Sequence, residues 1–499
     1  MKKSASEADL TAAAAAEGIG LAPGEAEELL PVVASIVAAA DRATVLDAPP
    51  PEPVAAERDP GSGPGDNPYN SFIRRCRVDA GVDGPLRGRT VGVKDNISVA
   101  GVPTTNGSDM QPFTPAVDAV VVERVLLAGG VIVGKLNMDA FGAAGLGETS
   151  AFGPARNPVD PERSAGGSSG GCGSAVAAGE VDLALAVDQG GSGRIPAAFC
   201  GVVAVKATHG LVPSFGVTHL SHTIDHVTPT ARTVADAALL LEVIAGPDER
   251  DPQVVAGAVP APSYAGAAGE GVAGLRIGVV DEARSERWCE PAVLEGLTRA
   301  TAALERAGAR VEPVSIPAWE HALTVFLPYI AHLAADTFRT EGEGFAHHGL
   351  VDVERMAAFA HARRTESAGL PMQFKAWVLA EHYLREHRGG ATFGALHNRR
   401  LVVRRAIDDA LARFDLLLTP TLPITAPRLA GPDASFADIS MRTAERLCCN
   451  TAPLNLSGHP GITVPSGTDP DGLPVAVQIV GPRFGERTAF RAAYALEQA

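Results

Sequence analysis

The sequence predicts a layered α/β/α body around a large mixed β-sheet, preceded by a small helical part, and three observations carry that expectation. Strand-like and helix-like segments alternate from residue 89 onward, a pattern that stacks helices on the faces of a sheet. Apolar residues make up 46% of the 499 positions, enough to bury a large core. Gly (54) and Pro (38) are in excess without a Gly-X-Y period, which reads as many tight loops in one enzyme-like body.

Taken in order, residues 5–45 are rich in Ala, Glu and Leu, and Pro23 with Gly24 divides them into two helical patterns. This defines a helical N-terminal segment, 1–46. The following run, DAPPPEPVAAERDPGSGPGDN, carries too much Pro, Gly and charge to pack, so residues 47–69 are expected to be an extended linker. The main body is then 70–499. Within it, RTVGVKDNISV (89–99), VIVGKL (131–136) and VDLALAVD (181–188) have strand composition, and 118–130 reads as a helix closed by Gly. A glycine-rich loop at 166–173 opens a short helix. A strand-helix-strand unit spans 275–316, a long helical region covers 319–413, and strands return at 415–423, 461–467 and 473–481 before a final helix.

The charge balance, 42 Lys and Arg against 58 Asp and Glu, gives −16, which repels phosphate backbones and anionic lipid. The expected partner is therefore a small molecule, with no nucleic acid and no membrane; a homodimer is compatible with this. No apolar run approaches the ~18 residues of a membrane-spanning helix, and MKKSASEADL is not followed by the apolar stretch of a secretory signal. Six cysteines without a CxxC pair fit a reduced, cytoplasmic protein. His219, His222 and His226 match no familiar zinc spacing and no HExxH occurs, so no metal is expected.

The chemistry concentrates in GVKDNISVAGVPTTNGS (92–108), SAGGSSGGCGSAVAAG (164–179) and VDQGGSGRIPAAFCG (187–201). The second segment departs from the P-loop, since Gly171 is followed by Cys172 and Gly173 instead of Lys and Ser/Thr; taken alone it reads equally well as a glycine-rich turn. The third places Ser192 on a tight turn at the end of a buried strand, where successive amides can converge on one spot, as an oxyanion hole requires. A serine nucleophile needs a base. No histidine lies near the three loops, although His209, His219, His222 and His226 follow, whereas Lys94 ends the apolar strand VGVK, where burial lowers the pKa of an amine.

This constellation resembles the amidase signature family, hydrolases that use a Ser-cisSer-Lys triad. The resemblance rests on GGSSGG, on Asp188, Gly190, Gly191, Ser192, Arg194 and Pro196 as a DxGGSxRxP element, and on further segments including KLNMDAFG (135–142) and NTAPLNLSGHPGITVP (450–465). It implies the layered fold and an amidase without cofactor that cleaves a small carboxylic amide through a seryl acyl-enzyme. Ser192 would be the nucleophile, Ser168 the bridging serine after a cis Gly167–Ser168 peptide, and Lys94 the base. The amides of Gln189, Gly190, Gly191 and Ser192 would hold the oxyanion; Ser169, Asp188 and Arg194 would support the loops. The same resemblance puts Phe141, Gly142, Ile224, Phe326 and Cys448 at the acyl pocket.

Gln189 resembles the branch of aryl- and alkyl-amide hydrolases that also carry a helical N-terminal extension. Gly193 departs from the larger residue usual after the nucleophile; either it enlarges the acyl site, the favoured reading, or it serves a positive-φ turn closed to other residues. Three other readings stand beside this one: the glutaminase subunit of a tRNA-dependent amidotransferase, a biosynthetic acyltransferase, and a non-catalytic scaffold. The glutaminase subunit typically lacks the N-terminal extension and commonly carries Gln where Ile195 stands.

Overall fold

The computed structural model describes residues 6–43, 50–110, 112–251, 263–342, 344, 349–431, 433–442 and 446–499. The chain divides into two compact units, Met1–Pro51 and Glu52–Ala499. The junction expected at 46/47 lies outside the described residues. In the first unit, helices span Glu7–Glu17 and Glu25–Ala43. The first begins with a capping box, in which Ser6 accepts from the Asp9 amide and Asp9 answers the Ser6 amide, and it ends at Gly18 in the left-handed conformation.

The second unit is built on one twelve-stranded sheet: β1 (Glu57–Asp59), β2 (Phe72–Asp79), β3 (Thr90–Lys94), β4 (Val131–Leu136), β5 (Leu183–Asp188), β6 (Val203–Lys206), β7 (His226–Ala231), β8 (Arg276–Val280), β9 (Arg310–Val314), β10 (Leu416–Pro420), β11 (Gly461–Thr468) and β12 (Pro474–Val480). Their order is β1-β2-β4-β3-β5-β7-β6-β11-β12-β10-β8-β9. β3 runs parallel to β4 and β5, and β8 runs parallel to β9 and β10, while the remaining pairs are antiparallel, so the sheet is mixed as expected.

Helices cover both faces. Leu183, Leu185 and Val187 of β5, with Val91 and Val93 of β3, join one core shared with the helices Val120–Leu127, Val234–Ile244, Pro291–Arg306 and Glu486–Glu497. Ala184 and Ala186 point the other way, into a core shared with Gly170–Ala177. The two-residue period of a strand therefore sends Lys94 and Asp188, the last residues of β3 and β5, toward the glycine-rich loop.

The expected linker is part of the body from Glu52 onward. Residues 57–59 pair with β2, and Arg58 donates to the Asp118 carboxylate at 3.1 Å and to the carbonyls of Val54 (2.8 Å) and Ala100 (3.0 Å). Asp118 is fully buried and also accepts from the Ala100 amide at 2.8 Å. Local composition argued against packing; an acid 60 residues further along the chain, which composition does not reveal, provides the anchor. Among the described residues no helix is long and apolar enough to cross a membrane.

Arg58→Ala leaves the Asp118 carboxylate buried without its cation, so the second unit should lose about 3 kcal/mol of stability in chemical denaturation. An unchanged midpoint would show that the segment adds nothing to the body.

Candidate active site

Lys94 is fully buried at the end of β3, its Nζ 2.8 Å from Ser168 Oγ and donating to the Val187 carbonyl at 3.2 Å. Burial pushes its pKa down from 10.5 to about 8, with Cys172, Asp139 and Asp188 pulling partly back. Ser168 follows a cis Gly167–Ser168 peptide, and its carbonyl accepts from the Asp139 amide at 3.0 Å. Asp139 is itself held by the Gly147 and Thr149 amides, each at 2.9 Å. Ser169 donates its hydroxyl to Val187 O at 3.0 Å, sharing that carbonyl with Lys94, and its amide meets Ser192 O at 3.1 Å. The glycine-rich loop is thereby tied to both β3 and β5.

The turn after β5 wraps around Asp188. Arg194 grips its carboxylate with two nitrogens, Nε at 2.9 Å and Nη2 at 3.0 Å, and both side chains are fully buried. The amides of Gly191 (2.8 Å) and Gly193 (3.2 Å) and the Asn455 side chain (2.9 Å) also donate to it. Burial alone would raise this carboxyl; the Arg194 charge and the hydrogen bonds from Arg194 and Asn455 outweigh it and hold Asp188 well below the usual carboxylate range. Arg194 continues to Gln478 Oε1 at 2.7 Å and Asn455 Oδ1 at 2.6 Å, so its donors are matched as well.

One consequence corrects an expectation. The Gly191 amide is committed to Asp188 and is not available to an oxyanion, whereas the amides of Gln189, Gly190 and Ser192 meet no acceptor among the described residues. Gly191 has φ +130°, and a Cβ there would lie 2.4 Å from Thr451 Oγ1, so only glycine fits the turn. Thr451 in turn donates to Gly190 O at 2.6 Å. The Ser192 hydroxyl forms no hydrogen bond to Ser168, so the link between them is open in this state; such contacts often tighten only with substrate bound.

Ser192 lines a pocket of about 140 Å³ with Gly142, Gln189, Gly190, Phe326 and Cys448. Leu323, Leu327, Ile330, Trp377 and Leu447 complete its apolar wall, and Gln373 with Ser440 adds polar groups; sequence reasoning missed these, because they come from the helical region and the segment beyond it, where nothing local marks a site. Two expected pocket residues lie elsewhere. Phe141 packs at a tilt against Phe359 and Phe374 (centroids 6.0 and 5.2 Å) and lines a neighbouring cavity, and Ile224 is wholly buried core. Gly193 also does not enlarge the site: its φ is −97°, and a Cβ would meet Thr228 Cγ2 of β7 at 2.6 Å, facing the sheet instead of the pocket.

Comparison with known proteins adds the lineage. Residues 73–490 match the family model described as Amidase. The chain is 41% identical to a Glutamyl-tRNA(Gln) amidotransferase subunit of Halobacterium salinarum, covering 86% of this chain and 99% of that protein. The solved structure of a Glutamyl-tRNA(Gln) amidotransferase subunit from Thermotoga maritima is similar with a TM-score of 0.71 and 34% identity, over 86% and 87% of the two chains. A bacterial aryl acylamidase of the amidase signature enzymes has a TM-score of 0.69 at 26% identity, over 84% and 83%. The amidotransferase relatives favour the glutaminase-subunit reading that the sequence ranked second. They also overturn the expectation of a small-molecule partner alone and no nucleic acid, since they are named as one subunit of an enzyme of tRNA; a net charge describes this chain's own surface and is silent about any other chain of a complex. With the fold, the paired serines and a match over most of its length in agreement, the chain belongs to the amidase family, the amidase signature enzymes that hydrolyse amides.

Proposed function

We propose that this protein hydrolyses an uncharged amide with an apolar acyl group through a seryl acyl-enzyme. The observation that carries the reading is a buried lysine of depressed pKa, 2.8 Å from Ser168, behind an apolar pocket lined by Ser192. Neutral Lys94 keeps one N–H for Val187 O and turns its lone pair to Ser168. Ser192 attacks the carbonyl carbon as its proton passes to Ser168 and the Ser168 proton passes to Lys94; the amides of Gln189, Gly190 and Ser192 take the oxyanion. The relay then reverses, protonating the leaving nitrogen as the C–N bond breaks, and water repeats the cycle on the ester.

A second reading, in which the chain supplies ammonia from glutamine within an amidotransferase, is favoured by the 41% identity to the Halobacterium salinarum protein. Pocket chemistry opposes it. No charged side chain among the described residues lines the pocket, and glutamine would bring an α-carboxylate and an α-ammonium needing partners there. Rates on L-glutamine, an acetamide-sized amide and an aryl amide decide: the account expects the uncharged amides to lead by tenfold or more in kcat/KM, and a preference for glutamine would install the second reading.

Lys94→Arg keeps the charge but cannot release a proton, so it should lose at least about a thousandfold in kcat, as Lys94→Ala would. In the wild type, kcat should rise with pH through about 8, because the neutral amine is the active form. The same shift affects stability: the unfolded lysine binds more protons than the folded one between about 8 and 10.5, so this group's destabilising contribution is full below 8 and fades as pH rises through that window. A rate that falls steadily from pH 7 to 9 would remove Lys94 as base.

Gly193→Ala forces Thr228 and β7 to shift, which should cost about 1–3 kcal/mol and depress small and aryl amides alike. A loss confined to bulky substrates, read from kcat/KM on both, would return Gly193 to the acyl pocket.

A further inference from the structure

Gln189 is 3% exposed and lines the pocket beside Ser192, yet its Oε1 is buried without a hydrogen-bond partner among the described residues. Leaving a buried carboxamide oxygen unmatched is unfavourable, so its place in a substrate pocket points to a donor that arrives with the substrate. The other carboxamide in the pocket is already served: Gln373 Oε1 accepts from Ser440 at 2.6 Å. Gly142 fixes where the donor would sit. The point that a Cβ would occupy there is 3.5 Å from Ser168 Oγ, 3.7 Å from Gln189 Nε2 and 3.8 Å from Gln189 Oε1, and glycine leaves that space open.

We infer that the Gln189 side chain accepts a hydrogen bond from the N–H of the scissile amide and so selects amides over esters. The inference deepens the proposed reaction and rests on it. Ser168 must deliver its proton to the lone pair of the leaving nitrogen. Holding the N–H on Gln189 Oε1 turns that lone pair toward Ser168, across the gap beside Gly142. An ester has no N–H, gains nothing from the carboxamide, and needs no such orientation.

The test compares kcat/KM for an anilide and the phenyl ester of the same acid in wild type, Gln189→Leu and Gln189→Met. Both variants keep the backbone amide, and methionine also keeps the chain length, so one survives if the other misfolds. The expected result is a fall of at least tenfold in the anilide-to-ester ratio. An equal loss on both substrates in both variants, complete loss included, overturns the role of Gln189 while wild-type turnover leaves the acyl-enzyme reading intact. Wild type that turns over neither substrate overturns that reading and this inference together.

Discussion

The Asp188 carboxylate decides how the backbone amides around Ser192 are committed. It stands fully buried at the end of β5, and a charge there is tolerable only because a two-nitrogen grip from Arg194, the Asn455 amide and backbone N–H groups meet it. Folding the turn around this charge takes the Gly191 and Gly193 amides and leaves those of Gln189, Gly190 and Ser192 without acceptors among the described residues. In the proposed reaction these three amides are the donors that would meet a developing oxyanion. On that proposal, one arrangement of the chain would serve both the buried acid and the reaction.

Lys94 depends on the same frame from the other side. β3 and β5 are parallel neighbours, so their ends lie together, and strand alternation points Lys94 and Asp188 to one face. Ser169 and Lys94 share the Val187 carbonyl, which fixes the glycine-rich loop and sets Ser168 against the amine. The depressed lysine pKa follows from this enclosure, since desolvation is its largest cause.

The strands β3, β4 and β5, the mixed sheet and the three loops were legible because each is written in a contiguous stretch: VGVK, VIVGKL, and a buried strand running into DQGGS. What closes the site was not. Arg194 meets Asn455 and Gln478, 261 and 284 residues away, and no local pattern marks an asparagine as the partner of a distant arginine. The wall formed by Leu323, Leu327 and Ile330 is indistinguishable in sequence from an ordinary apolar helix face. Gly193 misled for a geometric reason: a missing side chain signals space, and only coordinates show that the space belongs to Thr228.

The structure of the enzyme with a serine-directed phosphonate bound tests the central claim most directly. The account predicts phosphorus on Ser192 Oγ and a phosphonyl oxygen about 3 Å from the amide nitrogens of at least two of Gln189, Gly190 and Ser192, with Asp188 still gripped by Arg194. Phosphorus on another residue, or an oxygen turned to the Gly191 amide with Asp188 displaced, would contradict it.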